Sequence, residues 1–280
     1  HPANTLSLHD ALPIFKNVLD FMEYANLDFV DFDWEYPGEV RAADKVDNKN
    51  DMGNPDSIPA DKENYITMLK EFRVALDAKE KILGKEYEMS AALPMAHEKT
   101  NVGINVKEMF KILDFGNVMT YDAAGAWSDT SGHQTALYDN PNDSFAGKGY
   151  TVDSSIKKYL ELGAPSEKLV IGAAYYTRGW EKVSNEVPDK NLPGLFGKAT
   201  KINKDSDGTL SYGATNYAPV KSGDGGRNSG VWGWRNQDEL KVKYPGIKEY
   251  WDDTAKAPYM YNEKTGAFRS EERRVGKECS

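Results

Sequence analysis

Apolar residues at Phe15, Val18, Leu19 and Met22 recur three and four positions apart, the period of a helix with one buried face. Past Leu27 the period shortens to two. Val30, Phe32 and Trp34 alternate with Asp31, Asp33 and Glu35, so an extended chain here carries an apolar face and an acidic one. Tyr36-Pro37-Gly38 closes this strand and puts Glu35 at its C-terminal end, the end at which parallel α/β folds keep their chemistry. Residues 38–60 are polar with few apolar anchors, and a long loop is predicted there. Helical spacing returns over 61–76 with Tyr65, Met68, Leu69, Phe72 and Leu76 on one stripe. An apolar strand over 87–94, a short helix over 106–112 and a strand from Leu113 into Met119-Thr120-Tyr121-Asp122 come next. A helix over 151–163, with Ile156, Tyr159 and Leu160 on one side, leads to a strand over 168–174. Strands alternating with helices predict an α/β fold around a parallel core.

From about residue 181 the texture changes to Gly, Asn, Asp, Lys and Tyr in short alternating segments, which predicts a small, partly antiparallel insert. Residues 221–230 have no apolar anchor and are expected to be a mobile loop. Their glycines do not form a phosphate-binding loop, because no strand leads in and no Gly-Lys-Ser/Thr closes the run.

Acids along a strand are costly to bury, so the Asp31, Asp33, Glu35 row points to a site more than to scaffold. At a rise of about 3.3 Å per residue, neighbours on that face stand roughly 6 to 7 Å apart, close enough to oppose simultaneous ionisation in a cleft. Glu35, the outermost, is the natural general acid, with Asp33 tuning its proton and Asp31 supporting Asp33 from below. The alternatives are three acids paired with structural Arg or Lys, or a hard-ion site. Nothing near the strand supplies His or Cys to such a site, and the four histidines, at 1, 9, 97 and 133, are dispersed. His133 is expected to be a structural or cleft-edge group.

A formal charge of −9 and the lack of a Lys/Arg stripe with interleaved aromatics argue against a nucleic-acid partner. No apolar run approaches the length of a membrane span. Six Trp, sixteen Tyr and ten Phe offer many flat faces, which suit sugar rings as well as an ordinary core. The one cysteine, Cys279, excludes an internal disulfide and leaves the redox compartment open.

With Met119-x-Tyr121-Asp122 and Tyr176-x-Arg178, the acidic strand resembles the family 18 glycoside hydrolases, the chitinases. Their signature Asp-x-x-Asp-x-Asp-x-Glu is met by Asp28, Asp31, Asp33 and Glu35, with Trp34 and Tyr36-Pro37 in support. The resemblance runs from about Phe15 to Phe268, and residues 251–259 are similar to the end of the insertion domain of the larger bacterial enzymes. It implies a partial (β/α)8 TIM barrel, about strands four to seven, over 14–180, and a small α+β insertion domain over 181–269 after strand seven. Strands one to three and eight would then lie outside the chain, which is expected to be a fragment and, alone, inactive. Residues 1–13 and 270–280 resemble sequencing-adaptor read-through and are expected to carry no function.

The resemblance further implies that Glu35 protonates the glycosidic oxygen while the substrate's own N-acetyl oxygen attacks the anomeric carbon. Asp33 would hold the acetamido nitrogen and Tyr121 would donate to the acetamido carbonyl. Asp122 and Arg178 would bind sugar hydroxyls, Met119 and Tyr176 would line the floor, and Trp127 and Trp180 would be stacking platforms. Phe29 and Thr177 depart from the family, which usually has Gly at both positions. No cofactor is implied. The implied partner is chitin or a chito-oligosaccharide, acted on by a secreted, monomeric parent protein. Two other readings are an endo-β-N-acetylglucosaminidase of other glycans and a non-catalytic lectin. Glu35, whose loss would mark a lectin, is present.

Overall fold

The computed structural model describes residues 8–270, with side chains described from Pro13 onward. Of the two ends expected to be foreign, residues 1–7 and 271–280, with Cys279, lie outside the described residues. The chain divides into two compact units: one holds Asp56–Val118 and Lys157–Val170 with the chain up to Val40, the other Arg41–Pro55, Met119–Ile156 and the chain from Ile171.

In the first unit α1 (Leu8–Tyr24) buries Phe15 and Met22, two of the four positions its period marks. After β1 (Phe29–Phe32) comes α2 (Asp61–Leu83), with Asp61 and Glu63 in its first turn, where the helix dipole favours negative charge. It stops at Gly84, whose φ of 65° few other residues adopt and whose N–H returns to the Glu80 carbonyl at 2.8 Å. The buried face of α2 is Tyr65, Ile66, Leu69, Phe72 and Leu76. Phe72 receives Phe15 and Phe32 edge-on, with ring centroids 5.2 and 5.0 Å apart, so α1, α2 and β1 share one apolar layer.

Next in order are β2 (Glu88–Pro94), α3 (His97–Gly103), α4 (Val106–Met109), β3 (Phe115–Met119), α5 (Val152–Glu161) and β4 (Leu169–Ile171). The sheet runs β1–β2–β3–β4, with β1 and β2 parallel and Asp31 beside Ser90. This is an α/β fold with a parallel sheet and surrounding helices. Two expectations need correction here. β1 ends at Phe32, so Asp33, Trp34 and Glu35 lie just past the strand. Its acidic face is also open rather than buried: Phe32 and Trp34 turn toward Phe72 and Tyr65 of α2, which leaves the carboxylates on the opposite side. On α5, Leu160 is 42% exposed, because the buried side runs through Tyr159 instead.

The second unit contains β5 (Arg178–Trp180), β6 (Asn203–Lys204), β7 (Leu210–Ser211), α6 (Gln237–Lys243), β8 (Lys248–Asp252), β9 (Ala257–Tyr261) and β10 (Phe268–Ser270). An antiparallel sheet runs β5–β10–β9–β8, beside a small β6–β7 pair. Trp180, Val183, Leu195, Tyr259, Tyr261 and Phe268 form its core. Arg178–Trp180 therefore pairs with β10 in the antiparallel sheet, and the compact units do not follow the expected boundary at 180. Nor is the 221–230 loop loose. Lys49 N–H donates to the Gly223 carbonyl at 2.8 Å and Gly225 N–H to the Asp47 carbonyl at 2.6 Å, so backbone pairing replaces the missing apolar anchors. Among the described residues no helix is long and apolar enough to cross a membrane.

Candidate active site

In the first unit a polar row crosses three strands. Asp31 Oδ1 accepts from Ser90 Oγ at 2.5 Å and from Asn117 Nδ2 at 3.0 Å. The parallel register makes this possible, because it sets Ser90 of β2 directly beside Asp31. Ser90 and Asn117 are site residues that the sequence pattern did not single out. Their signal was slight: each is a lone polar side chain within an apolar run, Met89-Ser90-Ala91-Ala92-Leu93 and Phe115-Gly116-Asn117-Val118-Met119.

Two residues on, Asp33 holds its proton to higher pH than an ordinary aspartate, first because neighbouring atoms strip water from its carboxyl and then because Asp31 is close. Trp34 meets Tyr65 edge-on at 5.4 Å, and burial, with the charges of Asp31 and Asp33, pushes the Tyr65 phenol well above its usual range. The Tyr36 phenol is pushed up likewise, by burial and then by the charge and hydrogen bond of Glu35. The Glu35–Tyr36 peptide is cis. Lys99 Nζ lies 4.6 Å from the Tyr36 ring centroid.

In the second unit Asp122 and Arg178 form a two-point pair at 2.7 and 2.8 Å. Asp122 has φ of 56°, a left-handed conformation that aspartate tolerates better than most residues. The Arg178 guanidinium lies 5.3 Å from the Tyr176 ring and 5.6 Å from that of Trp127, so two aromatic faces and one carboxylate hold it. Burial raises the Tyr176 phenol, and Asp122 adds to the effect. Gln134 joins the two segments: its carbonyl accepts from Ala123 N–H at 2.9 Å, and its side-chain amide donates to the Tyr176 carbonyl. Tyr121 and Met119 are half-buried at the end of β3.

Trp127 is 60% exposed and folds over Gly125, where a Cβ would lie 2.4 Å from its ring. Its open face suits a stacking platform. Trp180 does not share that role. It is fully buried, its ring edge lies against Phe268 at 5.7 Å, and its indole N–H donates to the Ser128 carbonyl at 3.0 Å, so no face is left for a sugar. Thr177, in place of a family glycine, is buried and donates through its hydroxyl to the Gly230 carbonyl at 2.6 Å. Phe29 lies edge-on to Phe115 at 5.8 Å. His133 is buried with Nε2 3.1 Å from Asp252 Oδ2, a structural contact. Among the described residues no group of three or more His, Cys, Asp or Glu is placed to hold a metal.

The first unit thus carries stepped carboxylates at the end of a parallel strand, and the second a carboxylate–guanidinium pair with aromatic faces beside it. The chain belongs to the glycosyl hydrolases family 18, whose model matches residues 10–274. Chitinase A1 of Niallia circulans is 31% identical over 267 residues, 92% of this chain and 32% of that protein. Chitinase A of Pseudoalteromonas piscicida is 31% identical over 261 residues, 85% of this chain and 28% of that one. The chain thus spans about a third of the length of the curated relatives it matches. Among solved structures, chitinase ChiA74 from Bacillus thuringiensis superposes with a TM-score of 0.76 at 32% identity, over 94% of this chain and 38% of that one. A family 18 N-acetylglucosaminidase from Paenibacillus barengoltzii gives 0.69 at 28% identity, over 92% and 62%.

Proposed function

We propose that the protein to which this chain belongs hydrolyses β-1,4 linkages between N-acetylglucosamine units of chitin by a substrate-assisted, retaining mechanism. The observation that carries this reading is the braced acid row: Asp31 fixed by Ser90 and Asn117, Asp33 keeping its proton unusually long, and Glu35 outermost. Glu35 gives its proton to the glycosidic oxygen as that bond breaks, and the acetamido oxygen of the same sugar closes on the anomeric carbon. Asp33 holds the acetamido N–H in line and Tyr121 donates to the acetamido oxygen, so the nucleophile is oriented before it attacks. Glu35, now a carboxylate, takes a proton from the water that opens the oxazolinium, and the configuration is retained. Asp122 and Arg178 grip sugar hydroxyls, Met119 and Tyr176 form the floor, and Trp127 stacks on a ring.

In this reading β1 to β4 are about strands four to seven of a (β/α)8 barrel, followed by an insertion domain. The parent acts on chitin or chito-oligosaccharides outside the cell as a monomer. Release of reducing ends from the N-acetylglucosamine tetramer, by the full-length gene product and by its Glu35→Gln variant with circular dichroism on both, tests it. The expected outcome is a loss of at least about 100-fold in the variant. No turnover from the folded full-length gene product counts against the reading, whereas inactivity of this chain alone is the expected result.

The likeness to a structure titled a family 18 N-acetylglucosaminidase favours a second reading, action on N-acetylglucosamine linkages of other glycans. Both substrates offer the same acetamido nucleophile, so a glycan core offered beside the tetramer separates the two.

A further inference from the structure

A cavity of about 470 Å³ in the second unit has Trp127, Ala126 and Arg178 on one side and the Asp44–Arg227 pair on the other. That volume lies within the roughly 300–1,000 Å³ common for small-ligand sites. Two segments far apart in sequence make the second side. Arg227 is bonded to Asp44 at two points, 2.6 and 3.0 Å, and to Asp205 at 3.1 Å. Asp205 is buried and its other oxygen accepts from Asn228 N–H at 2.8 Å, which fixes the fork from the insert side. From the other side, Asp44 accepts from the N–H groups of Val46 and Asp47, both at 3.2 Å, and so holds its own turn. The backbone bonds of Lys49 to Gly223 and of Gly225 to Asp47 extend the same seam.

The lining shows what the cavity takes. Every cation in it is already engaged: Arg178 by Asp122, Arg227 by Asp44 and Asp205, and Lys201 over the Tyr212 ring at 4.8 Å. A bare anion finds both arginines bound to carboxylates and Asp44, Asp47 and Asp205 in the lining. A neutral ring with hydroxyls on its rim and one apolar face finds alternating donors and acceptors and the open Trp127 indole.

Resting on the chitinase reading above, we propose that the Asp44–Arg227–Asp205 clasp is a specificity-determining device. It holds segment 41–55 against the insert as an added wall, so that this chain grips longer N-acetylglucosamine oligosaccharides in preference to short ones. Asp44 and Arg227 act by positioning the wall, beside the backbone bonds of the seam.

The test uses the Glu35→Gln chain, so that ligands are not consumed, and measures dissociation constants for the dimer and the hexamer by calorimetry. Adding Arg227→Met, or separately Asp44→Asn, which keeps the shape and removes the charge, is expected to weaken the hexamer about tenfold and the dimer less than about twofold. A clasp that serves only folding would weaken both ligands alike, and that result overturns the proposal, as does an unchanged hexamer-to-dimer ratio in either variant. If the Glu35→Gln chain binds neither oligosaccharide, the chitinase reading falls and this inference with it. If it binds both and the ratio does not move, the clasp falls alone.

Discussion

Asp33 is held in two ways that pull against stability. Loss of water from its carboxyl and the nearby Asp31 both favour its protonated form in the folded chain, so folding takes up a proton there. A carboxyl raised in this way lowers stability as pH climbs from about 3.8, the ordinary aspartate value, through its raised one. Asp33→Asn is therefore expected to melt with the wild type in acid and above it near neutrality. A melting difference that does not change with pH would contradict this origin of the shift. At this scale the sequence made the acids plain, because an acid at every second residue of an alternating run is rare. It did not reveal Ser90 and Asn117, each a lone polar residue in an apolar run, whose use depends on which strand lies beside which. Nor does the resemblance reveal that Trp180 is covered, since that depends on the pairing of β5 with β10 and on Phe268 beside its ring.

Among the elements, β8 ends on a buried carboxylate that ties the antiparallel sheet to the segment around His133. Asp252 Oδ2 contacts His133 Nε2 at 3.1 Å and accepts from Asn140 Nδ2 at 2.8 Å, while Oδ1 accepts from the N–H groups of Thr254 and Ala255 at 2.9 and 3.2 Å. Burial works against its charge, but these bonds prevail and bring the carboxyl down to about 2. Its contribution is thus whole above the ordinary aspartate range and is lost as pH falls from about 3.8 to about 2. Asp252→Ala is expected to cost about 3 kcal/mol in urea unfolding near neutral pH, with the gap to wild type closing below pH of about 4. A constant gap would sink that explanation. The elements with strong periods were legible: α2 starts at Asp61 as expected but runs on to Leu83, past the expected end at 76, and β2 differs from its expected range by one residue. The pairing of 41–55 with 221–230 was not legible, since it consists of backbone bonds and one Arg–Asp fork rather than an apolar pattern.

For the whole molecule, the family was written into the acid strand and the Tyr121-Asp122 and Tyr176-x-Arg178 motifs, and the match over residues 10–274 bears that out. The split of the chain into compact units was not foreseeable from texture, because residues 41–55 and 119–156 precede the change at 181 yet fold with the residues beyond it. The central chemical claim is that the substrate's acetamido oxygen is the nucleophile and that Glu35 serves in turn as acid and base. Proton NMR of the first products that the full-length gene product releases from the N-acetylglucosamine tetramer tests this most directly, recorded before the new reducing ends mutarotate. The β-anomer is expected to appear first, as retention requires, and its signal to vanish in Glu35→Gln. An α-anomer appearing first, or turnover that survives Glu35→Gln, would contradict the claim.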